Sequence, residues 1–335
     1  MPQLHPPGAR ASRAGAQGRR RHRPRTGAGP ETHLCQRQGL PPPAKERAVN
    51  LRRAVFPVAG FGTRFLPASK AIPKELIPLV DKPAVQYVVE EAVSAGIDTA
   101  IFVTAEGKSA LEDHFDRSLR LEAFLEARGK VALLEEMRRL GSLVEVVTVR
   151  QKEALGLGHA VLQGARAVGD EAFAVLLGDD VIIGHPPAIG RLAQLHAATG
   201  APVVAVMEVP REEIRHYGCV AGEPVEEGVW RVHDLVEKPR PDEAPSSLAV
   251  IGRYIITPQV VRELADTPFD RGGEIQLTEG LRRAAQRAPL YACTFPGERF
   301  DAGNKLDFLR ATVTLGLRHP ELGEGLRRHL EELLG

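Results

Sequence analysis

The sequence predicts an α/β protein with a Rossmann-like, mixed but mostly parallel sheet, helices on both faces, and a small β-rich subdomain. From residue 51 to residue 208, short apolar strands alternate with helical segments, which is typical of such a sheet. The first strand leads directly into a loop with two glycines, the position at which open α/β sheets bind ligands. After Glu208 the segments become short strands separated by Gly, Pro, Asp and Ser.

Composition limits the class of protein. A chain of 335 residues can bury a sizeable core, and it contains no apolar run of the ~18 residues that a membrane-spanning helix needs. Its three cysteines, Cys35, Cys219 and Cys293, are far apart, so neither a disulfide framework nor a zinc site is expected. The sequence therefore predicts a cytoplasmic protein without a membrane partner.

Residues 1–50 differ from the rest of the chain. They hold ten Lys or Arg and only two Asp or Glu, and they lack apolar periodicity, so we expect disorder. An organellar transit peptide and a nucleic-acid contact through the Arg19–Arg25 cluster are two interpretations. The favoured one is that translation begins near Val49, because the folded pattern starts abruptly at Leu51. Nucleic acid is then not an expected partner, since the remaining residues are mildly acidic.

Local signals define the elements in chain order. Asp81 is predicted to cap a helix that has Pro83 in its first turn and ends at Gly96. The predicted strands cover residues 52–56, 99–104, 144–149, 173–177, 202–208, 218–221, 230–236, 248–256 and 290–295. The predicted helices cover residues 81–95, 108–115, 117–140 with a break at Gly129, 159–168, 189–198, 275–287, 305–318 and 325–334.

The loop after the first strand has the chemistry of a polyphosphate site. Gly60 and Gly62 allow backbone N–H groups to approach an anion, and Arg64, Lys70 and Lys74 add three cations. It is neither the dinucleotide fingerprint nor a P-loop, since the third glycine of the former and the Gly-Lys-Ser/Thr of the latter are missing.

Two further segments end predicted strands with polar groups. Asp179, at the end of residues 173–177, could hold Mg²⁺ together with phosphate oxygens. Gln151 precedes Gly156-Leu157-Gly158-His159, and a Gln amide can pair with the carbonyl and N–H that uracil and thymine both offer. His159 is not expected to act as a catalytic base. In a polyphosphate site the attacking group would be a phosphate oxygen, which is already anionic and needs no deprotonation.

The β-rich part contains a candidate sugar site. Glu237 could accept hydrogen bonds from sugar hydroxyls, and Lys238 could neutralise the charge of the phosphate of a sugar phosphate. Gly218 and Gly252 would let the backbone approach the hexose. The role of the glycine-rich segment 272–278 stays open between positioning a helix and capping it.

The order of these motifs resembles the sugar-1-phosphate nucleotidylyltransferases, and within them the uridylyl branch, from about Leu51 to the C-terminus. They are Ala-Gly-x-Gly-Thr-Arg, Pro-Lys-Glu, Gly-Leu-Gly-His-Ala, Gly-Asp-Asp, Val-Glu-Lys-Pro, Gly-Glu-Ile-Gln-Leu-Thr and Asp-x-Gly-Asn-Lys. The resemblance implies the nucleotide-diphospho-sugar transferase fold and Mg²⁺-assisted transfer from UTP to α-D-glucose 1-phosphate, with pyrophosphate released by in-line displacement.

The resemblance also implies roles for individual residues. It implies that the catalytic residues are Arg64, Lys74, Lys238 and Asp179. It also implies that Asp179 and Asp301 bind Mg²⁺. Uridine binding falls to Ala59, Gly60, Glu75, Gln151 and Gly156, glucose binding to Gly218, Glu237 and Gly252, and Gly62 and Thr63 join the substrate-binding loop. The chain then divides into a nucleotide-binding part (51–208), a sugar-binding part (209–300) and C-terminal helices (301–335).

Several alternatives remain open from the sequence. The nucleotide could be dTTP, because Gln151 would read an edge that the two bases share. A non-catalytic nucleotide-sugar-binding regulatory protein is a second alternative, although the phosphate cations and metal aspartates are all present. The helical segment 115–140 and the C-terminal helices are expected interfaces of a homo-oligomer.

Overall fold

The computed structural model describes residues 51–335, so the prediction of a disordered leader over 1–50 lies outside the described residues. The strands are β1 Arg53–Pro57, β2 Pro78–Leu79, β3 Lys82–Pro83, β4 Thr99–Thr104, β5 Glu145–Arg150, β6 Phe173–Leu176, β7 Asp180–Ile183, β8 Val203–Glu208, β9 Gly218–Glu226, β10 Val229–Glu237, β11 Leu248–Ile256, β12 Tyr291–Cys293 and β13 Glu298–Asp301. The helices are α1 Ala84–Ser94, α2 Ala110–Phe115, α3 Leu119–Ala127, α4 Val131–Leu140, α5 Gly156–Val168, α6 Ala188–Thr199, α7 Pro258–Ala265, α8 Leu277–Ala285, α9 Lys305–Arg318 and α10 Gly323–Leu334.

Nine strands form one mixed sheet in the order β5-β4-β1-β6-β11-β8-β12-β10-β9. Strands β5, β4, β1 and β6 are mutually parallel neighbours, whereas β11 runs antiparallel to β6 and β8. The chain builds outward from β1 to β4 and β5 and then returns to place β6 on the other side of β1. The carboxyl ends of β1 and β6 therefore flank a topological switch point, where open α/β sheets bind ligands.

Alternation along the strands buries both faces of the sheet. In β1, Phe56 lies in the apolar cluster that contains α1 and α6, whereas Val55 lies in the cluster that contains α5, α7 and α8. All of β11 is buried, as expected for a central strand with helices on both faces. The predicted fold class, a mostly parallel sheet covered on both faces, is confirmed.

The β-rich segment after Glu208 extends the main sheet. The hairpin of β9 and β10 forms its far edge, and β11 is inserted between β6 and β8. The sequence thus predicted these three strands along the chain, but not their places in the order of the main sheet. The functional division at residues 208 and 300 stays a prediction.

Two local predictions about helix starts were wrong. Asp81 does not cap α1, because Pro83 occupies the N-cap position and Asp81 lies in the turn between β2 and β3. Helix α5 begins at Gly156, so the Gly-Leu-Gly segment forms its first turn and is not a loop before it. The predicted break at Gly129 is confirmed, since this residue separates α3 from α4 with a φ of 63°.

Sequence patterns missed the short strands β7 and β13 and the helix α7. Strands β7 and β13 form a separate antiparallel pair, in which Asp180 lies opposite Asp301. None of the helices in residues 51–335 is long and apolar enough to cross a membrane.

Candidate active site

An ion pair between Lys74 and Asp179 lies at the switch point of the sheet. Lys74 follows β1 and Asp179 follows β6, so the pair joins the two neighbouring carboxyl ends. Burial alone would lower the pKa of Lys74, but Asp179 and Glu75 raise it above its ordinary value. Burial acts in the opposite direction on Asp179, whose pKa is held below its ordinary value by Lys74. Both groups are therefore charged at neutral pH.

Asp301 and Arg64 complete this cluster around Gly303. A Cβ atom on Gly303 would lie 2.7 Å from Asp179 Oδ2, 2.9 Å from Asp301 Oδ1 and 2.9 Å from Arg64 Nη2. Arg64 Nη1 is 4.0 Å from Asp301 Oδ2. The pairing of β13 with β7 and the hydrogen bond from the Ala302 N–H to the Asp179 carbonyl (2.7 Å) hold Asp301 in place.

The two carboxylates fit a hard divalent cation. Burial and the neighbouring charge of Asp179 raise the pKa of Asp301, which a bound cation would offset. Within residues 51–335, no group of three or more His, Cys, Asp or Glu side chains could hold a metal ion by itself. Two aspartates suit Mg²⁺, which usually keeps several waters and binds one or two carboxylates plus substrate phosphates.

The loop between β1 and Lys74 presents backbone and cations at the same edge. Gly62 has a φ of 64° and its carbonyl accepts a hydrogen bond from Ser69 Oγ (2.7 Å). A Cβ atom on Gly62 would lie 3.1 Å from Cβ of Lys74, so the glycine lets the loop pack against this lysine. Ala59 is half-buried, whereas Gly60 and Thr63 are exposed and available to a ligand.

Glu75 is buried and pairs with Lys108, a site residue that the sequence did not predict. Lys108 Nζ lies 3.0 Å from Glu75 Oε2 and also donates to the Val58 carbonyl at the end of β1. Burial raises the pKa of Glu75, and Lys108 and Lys74 oppose this effect. Lys108 was missed because a single lysine after a strand resembles a solvated residue.

Gln151 and Gly156 lie at the carboxyl end of β5, in the same parallel part of the sheet. The Gln151 side chain is 7% exposed, and its Nε2 is 3.3 Å from the Gly156 carbonyl and 2.9 Å from Nδ1 of His159. A Cβ atom on Gly156 would lie 2.8 Å from Cβ of Glu274. Glu274 and Ile275 of the segment 272–278 therefore pack directly against the start of α5, and Gln276 of the same segment is the N-cap residue of α8.

The predicted sugar residues Gly218 and Glu237 are partners across the β9–β10 hairpin. Thr278 Oγ1 donates a hydrogen bond to Glu237 Oε2 (2.5 Å). A Cβ atom on Gly218 would lie 3.2 Å from Thr278 Oγ1 and 3.4 Å from Glu237 Oε2, so only a small residue fits there. Thr278 was not predicted as a site residue.

Gly252 lies against Asp180 at the point where β11 passes β6. The Gly252 N–H donates to Asp180 Oδ2 (2.8 Å), and a Cβ atom on Gly252 would lie 2.6 Å from that oxygen. Arg299 Nε donates to Asp180 Oδ1 (2.6 Å), and Arg299 Nη1 is 3.1 Å from the Tyr217 hydroxyl. Hydrogen bonds thus connect the Gly252 backbone, through Asp180 and Arg299, with Tyr217, which directly precedes Gly218.

Lys238 has an unusual backbone. Its φ is 44°, one of two positive values among the non-glycine residues of the described chain, and its N–H donates to the Tyr217 carbonyl (3.0 Å). The side chain is 61% exposed, with Nζ 3.5 Å from Glu237 Oε1. A left-handed backbone conformation is energetically unfavourable for a residue with a Cβ atom, and such residues cluster at functional sites.

The structure brings most of the predicted residues into three contact groups. The first contains Arg64, Lys74, Asp179 and Asp301; the second contains Gln151 and Gly156; the third contains Gly218, Glu237, Lys238 and, through Asp180 and Arg299, Gly252. The first two groups lie at carboxyl ends of parallel strands, and Asp179-Asp180 joins the first group to the third.

Comparison with known proteins places this site in a family context. Residues 54–316 match the family model described as nucleotidyl transferase. The UTP–glucose-1-phosphate uridylyltransferase YngB of Bacillus subtilis (strain 168) is 45% identical over 284 residues, which cover 85% of this chain and 96% of that protein.

Two solved structures are also similar to this chain. UDP-glucose pyrophosphorylase complexed with UDP-glucose is 41% identical with a TM-score of 0.74, and the match covers 80% of this chain and all of that one. UTP-bound UGPase from Acinetobacter baumannii is 41% identical with a TM-score of 0.78, and the match covers 84% of this chain and 99% of that one.

Proposed function

Because the chain belongs to the nucleotidyl transferase family, we propose that it transfers the uridylyl group of UTP to α-D-glucose 1-phosphate, giving UDP-glucose and pyrophosphate. One observation carries the proposal. The Lys74–Asp179 pair, with Arg64 and Asp301 beside it, lies at the switch point of a chain 45% identical to a UTP–glucose-1-phosphate uridylyltransferase.

The reaction is an in-line displacement at the α-phosphorus of UTP. An oxygen of the sugar phosphate attacks, the bond from the α-phosphorus to the bridging oxygen breaks, and pyrophosphate leaves. The nucleophile is already anionic, so catalysis consists mainly of positioning and neutralising charge. Arg64 and Lys74 stabilise the leaving pyrophosphate, and Lys238 screens the repulsion between the two substrates' phosphates.

Asp179 and Asp301 are the residues that would hold Mg²⁺. When bound, the ion supplies Lewis-acid stabilisation of charge on the phosphate oxygens. The adjacent carboxylates around Gly303 and the raised pKa of Asp301 support this assignment. Lys74 pairs with Asp179 and so lies beside the place where Mg²⁺ and the phosphates would bind.

The remaining predicted residues bind the two substrates. Ala59, Gly60, Glu75, Gln151 and Gly156 bind the uridine, and Gly62 and Thr63 belong to the loop that receives the phosphates. Gly218, Glu237 and Gly252 receive the glucose moiety. Support comes from their grouping at the carboxyl edge of the sheet and along the β9–β10 hairpin.

Pyrophosphate release tests the function. Purified protein is given glucose 1-phosphate and Mg²⁺ with UTP, dTTP, ATP, CTP or GTP, and UTP is expected to give the highest rate. Asp179→Asn should abolish most of the release, whereas Asp170→Asn, at an exposed position, should not change it. Higher release with dTTP would assign the protein to thymidylyl transfer, and binding of UDP-glucose without any release would assign it a regulatory role.

The same proposal includes a homo-oligomer in the cytoplasm. Leu119, Phe124 and Val131 on α3 and α4, and Leu306 and Leu309 on α9, are each more than half exposed. Exposed apolar side chains on these helices are candidates for an interface between copies. Light scattering on the purified protein measures the mass, and a monomer at micromolar concentration would contradict the assembly.

A further inference from the structure

The Gln151 amide is held in one orientation by groups that accept hydrogen bonds. A carbonyl oxygen can only accept, so the Gly156 carbonyl at 3.3 Å requires that Gln151 turn its NH₂ group toward it. The same NH₂ group faces Nδ1 of His159 at 2.9 Å. No residue of the described part of the chain donates a hydrogen bond to Gln151 Oε1, which leaves this oxygen for a ligand.

The protonation of His159 determines whether this orientation is stable. Burial and the charge of Arg166 lower the pKa of His159, while Glu153 opposes them, so the ring is neutral at pH 7. A neutral imidazole has one donor and one acceptor nitrogen. Nδ1 must accept from the Gln151 NH₂ group, which places the ring proton on Nε2.

The second nitrogen of the ring faces the Gln163 amide. Nε2 of His159 is 2.9 Å from this amide, which is placed with its nitrogen toward the ring. Since the ring cannot accept from both amides, one of them must present its oxygen. The Gly156 carbonyl belongs to the backbone and cannot become a donor, whereas Gln163 is held by an exposed hydrogen bond from Arg166 Nη1 to its Oε1 (3.0 Å). Gln163 is therefore the amide that turns, exchanging that exposed bond for one from the His159 ring proton.

The backbone around His159 is fixed by the neighbouring segment. The N–H of Gly158 donates to the Ile275 carbonyl and the N–H of Ile275 donates to the Leu155 carbonyl, both at 2.8 Å. A Cβ atom on Gly158 would lie 2.6 Å from the Ile275 carbonyl oxygen. The first turn of α5 is therefore packed closely enough to hold the imidazole in a constant place relative to Gln151.

We propose that His159 is a positioning residue for base selection, which fixes the Gln151 amide with Oε1 toward the nucleotide. This inference rests on the proposed function. An amide oxygen accepts the N3–H of uracil but repels the N3 lone pair of cytosine. If the amide could rotate, its NH₂ group would pair with cytosine N3, and discrimination against CTP would weaken. Thymine offers the same N3–H, so His159 does not distinguish UTP from dTTP.

Paired substitutions separate this role from a structural one. Asn at position 159 places a side-chain oxygen near the site of Nδ1 and keeps the acceptor, whereas Leu removes it. The ratio of kcat/KM for UTP to that for CTP should fall about 5- to 30-fold in His159→Leu, as expected when the orienting interaction is lost. His159→Asn should keep most of the ratio. The exposed His329→Leu on α10 is the matched control.

Calorimetry provides a readout that does not depend on turnover. The affinity for UDP relative to CDP should change in the same order among the three variants. Equal ratios in wild type and His159→Leu, or an equal loss in His159→Asn, would overturn the role of His159. A wild type that binds UDP but releases no pyrophosphate would refute the proposed function, while the calorimetric ratio would still decide the role of His159. Failure to bind UDP would refute both.

Discussion

Arg253 and Glu91 form a buried ion pair behind the candidate site, with Nη2 and Oε2 2.7 Å apart. Arg253 is fully buried and Glu91 is 8% exposed. Arg253 also donates to the Asp180 carbonyl (2.7 Å) and the Gly252 carbonyl (3.0 Å), and Glu91 accepts from the Ile189 N–H (3.0 Å). The pair therefore ties α1, β7, β11 and α6 together at Asp180, the residue that follows Asp179.

Removing one partner of this pair should strongly destabilise the protein. Arg253→Met leaves the Glu91 charge buried without a counterion, a change that typically costs about 3–5 kcal/mol. Adding Glu91→Leu should give a total loss smaller than the sum of the two single losses. Urea unfolding measures both, with Arg52→Ala as the control, because its pair with Asp98 is exposed and worth about 1 kcal/mol or less. Additive losses would show that the two side chains are not coupled.

Gly303 should be required for activity because there is no room for a side chain at this position. Its backbone φ is not positive, but a Cβ atom would lie 2.7 Å from Asp179 Oδ2 and 2.9 Å from Asp301 Oδ1. Gly303→Ala should therefore lower kcat at least tenfold and raise the Mg²⁺ concentration needed for half-maximal rate. Gly325→Ala, where no atom lies within 4 Å of the added carbon, is the control. An unchanged Mg²⁺ response would argue against a shared ion between the two aspartates.

Substitutions of Lys238 should separate the contribution of its side chain to activity from the effect of its backbone conformation on stability. Losing the ammonium group in Lys238→Ala should reduce kcat by roughly 10²-fold, on the scale of one electrostatic contact to the transition state. Lys238→Gly should lose as much activity but unfold at a higher denaturant concentration than Lys238→Ala, because left-handed backbone costs residues with a Cβ about 1–2 kcal/mol. Equal stability of the two variants would show that the φ of 44° carries no strain.

Glu122 should make the stability of the helical segment α3–α4 sensitive to acid. Its carboxylate accepts hydrogen bonds from Arg117 (2.9 and 2.6 Å) and Arg138 (3.0 Å), which lower its pKa from 4.5 to about 2. A depressed pKa stabilises the fold above pH 4.5, and this contribution is lost as the pH falls from 4.5 toward 2.

Melting temperatures between pH 3 and pH 6 test this effect. Glu122→Gln should flatten the slope in that window, while Glu135→Gln, at an exposed position of α4, should retain it. The same slope in wild type and Glu122→Gln would assign the acid sensitivity to other groups.

The sequence predicted those parts of the site that are built from residues close together in the chain. It did not predict the contacts between residues that are far apart in the chain. The loop with Gly62, Arg64 and Lys74 could be read directly, because its motif is local. The placement of Asp179 and Asp301 on either side of Gly303 depends on the β7–β13 pair, whose strands are more than 100 residues apart in the chain and too short to leave a pattern.

Isolated polar residues were the other class that escaped prediction. Lys108, Arg299 and Thr278 each make a buried or short hydrogen bond to a predicted site residue or its neighbour. No sequence pattern separates such residues from solvated ones, since the partner is supplied by the tertiary fold. Their positions follow from the sheet order, which alternation of strands and helices does not specify.

Thr278 should affect the sugar substrate and not the nucleotide. Its hydroxyl donates to Glu237 Oε2 (2.5 Å) and thereby orients the carboxylate proposed to bind glucose hydroxyls. Thr278→Val keeps the shape but removes the donor, so the KM for glucose 1-phosphate should rise about tenfold or more, as expected for a hydrogen bond to a charged group. Thr278→Ser should retain most of the affinity, and Thr312→Val on α9 is a control for loss of a threonine hydroxyl. Steady-state kinetics with each substrate varied in turn measure the effect. An equal rise in the KM for UTP would mean that Thr278 supports the whole site and does not act through Glu237.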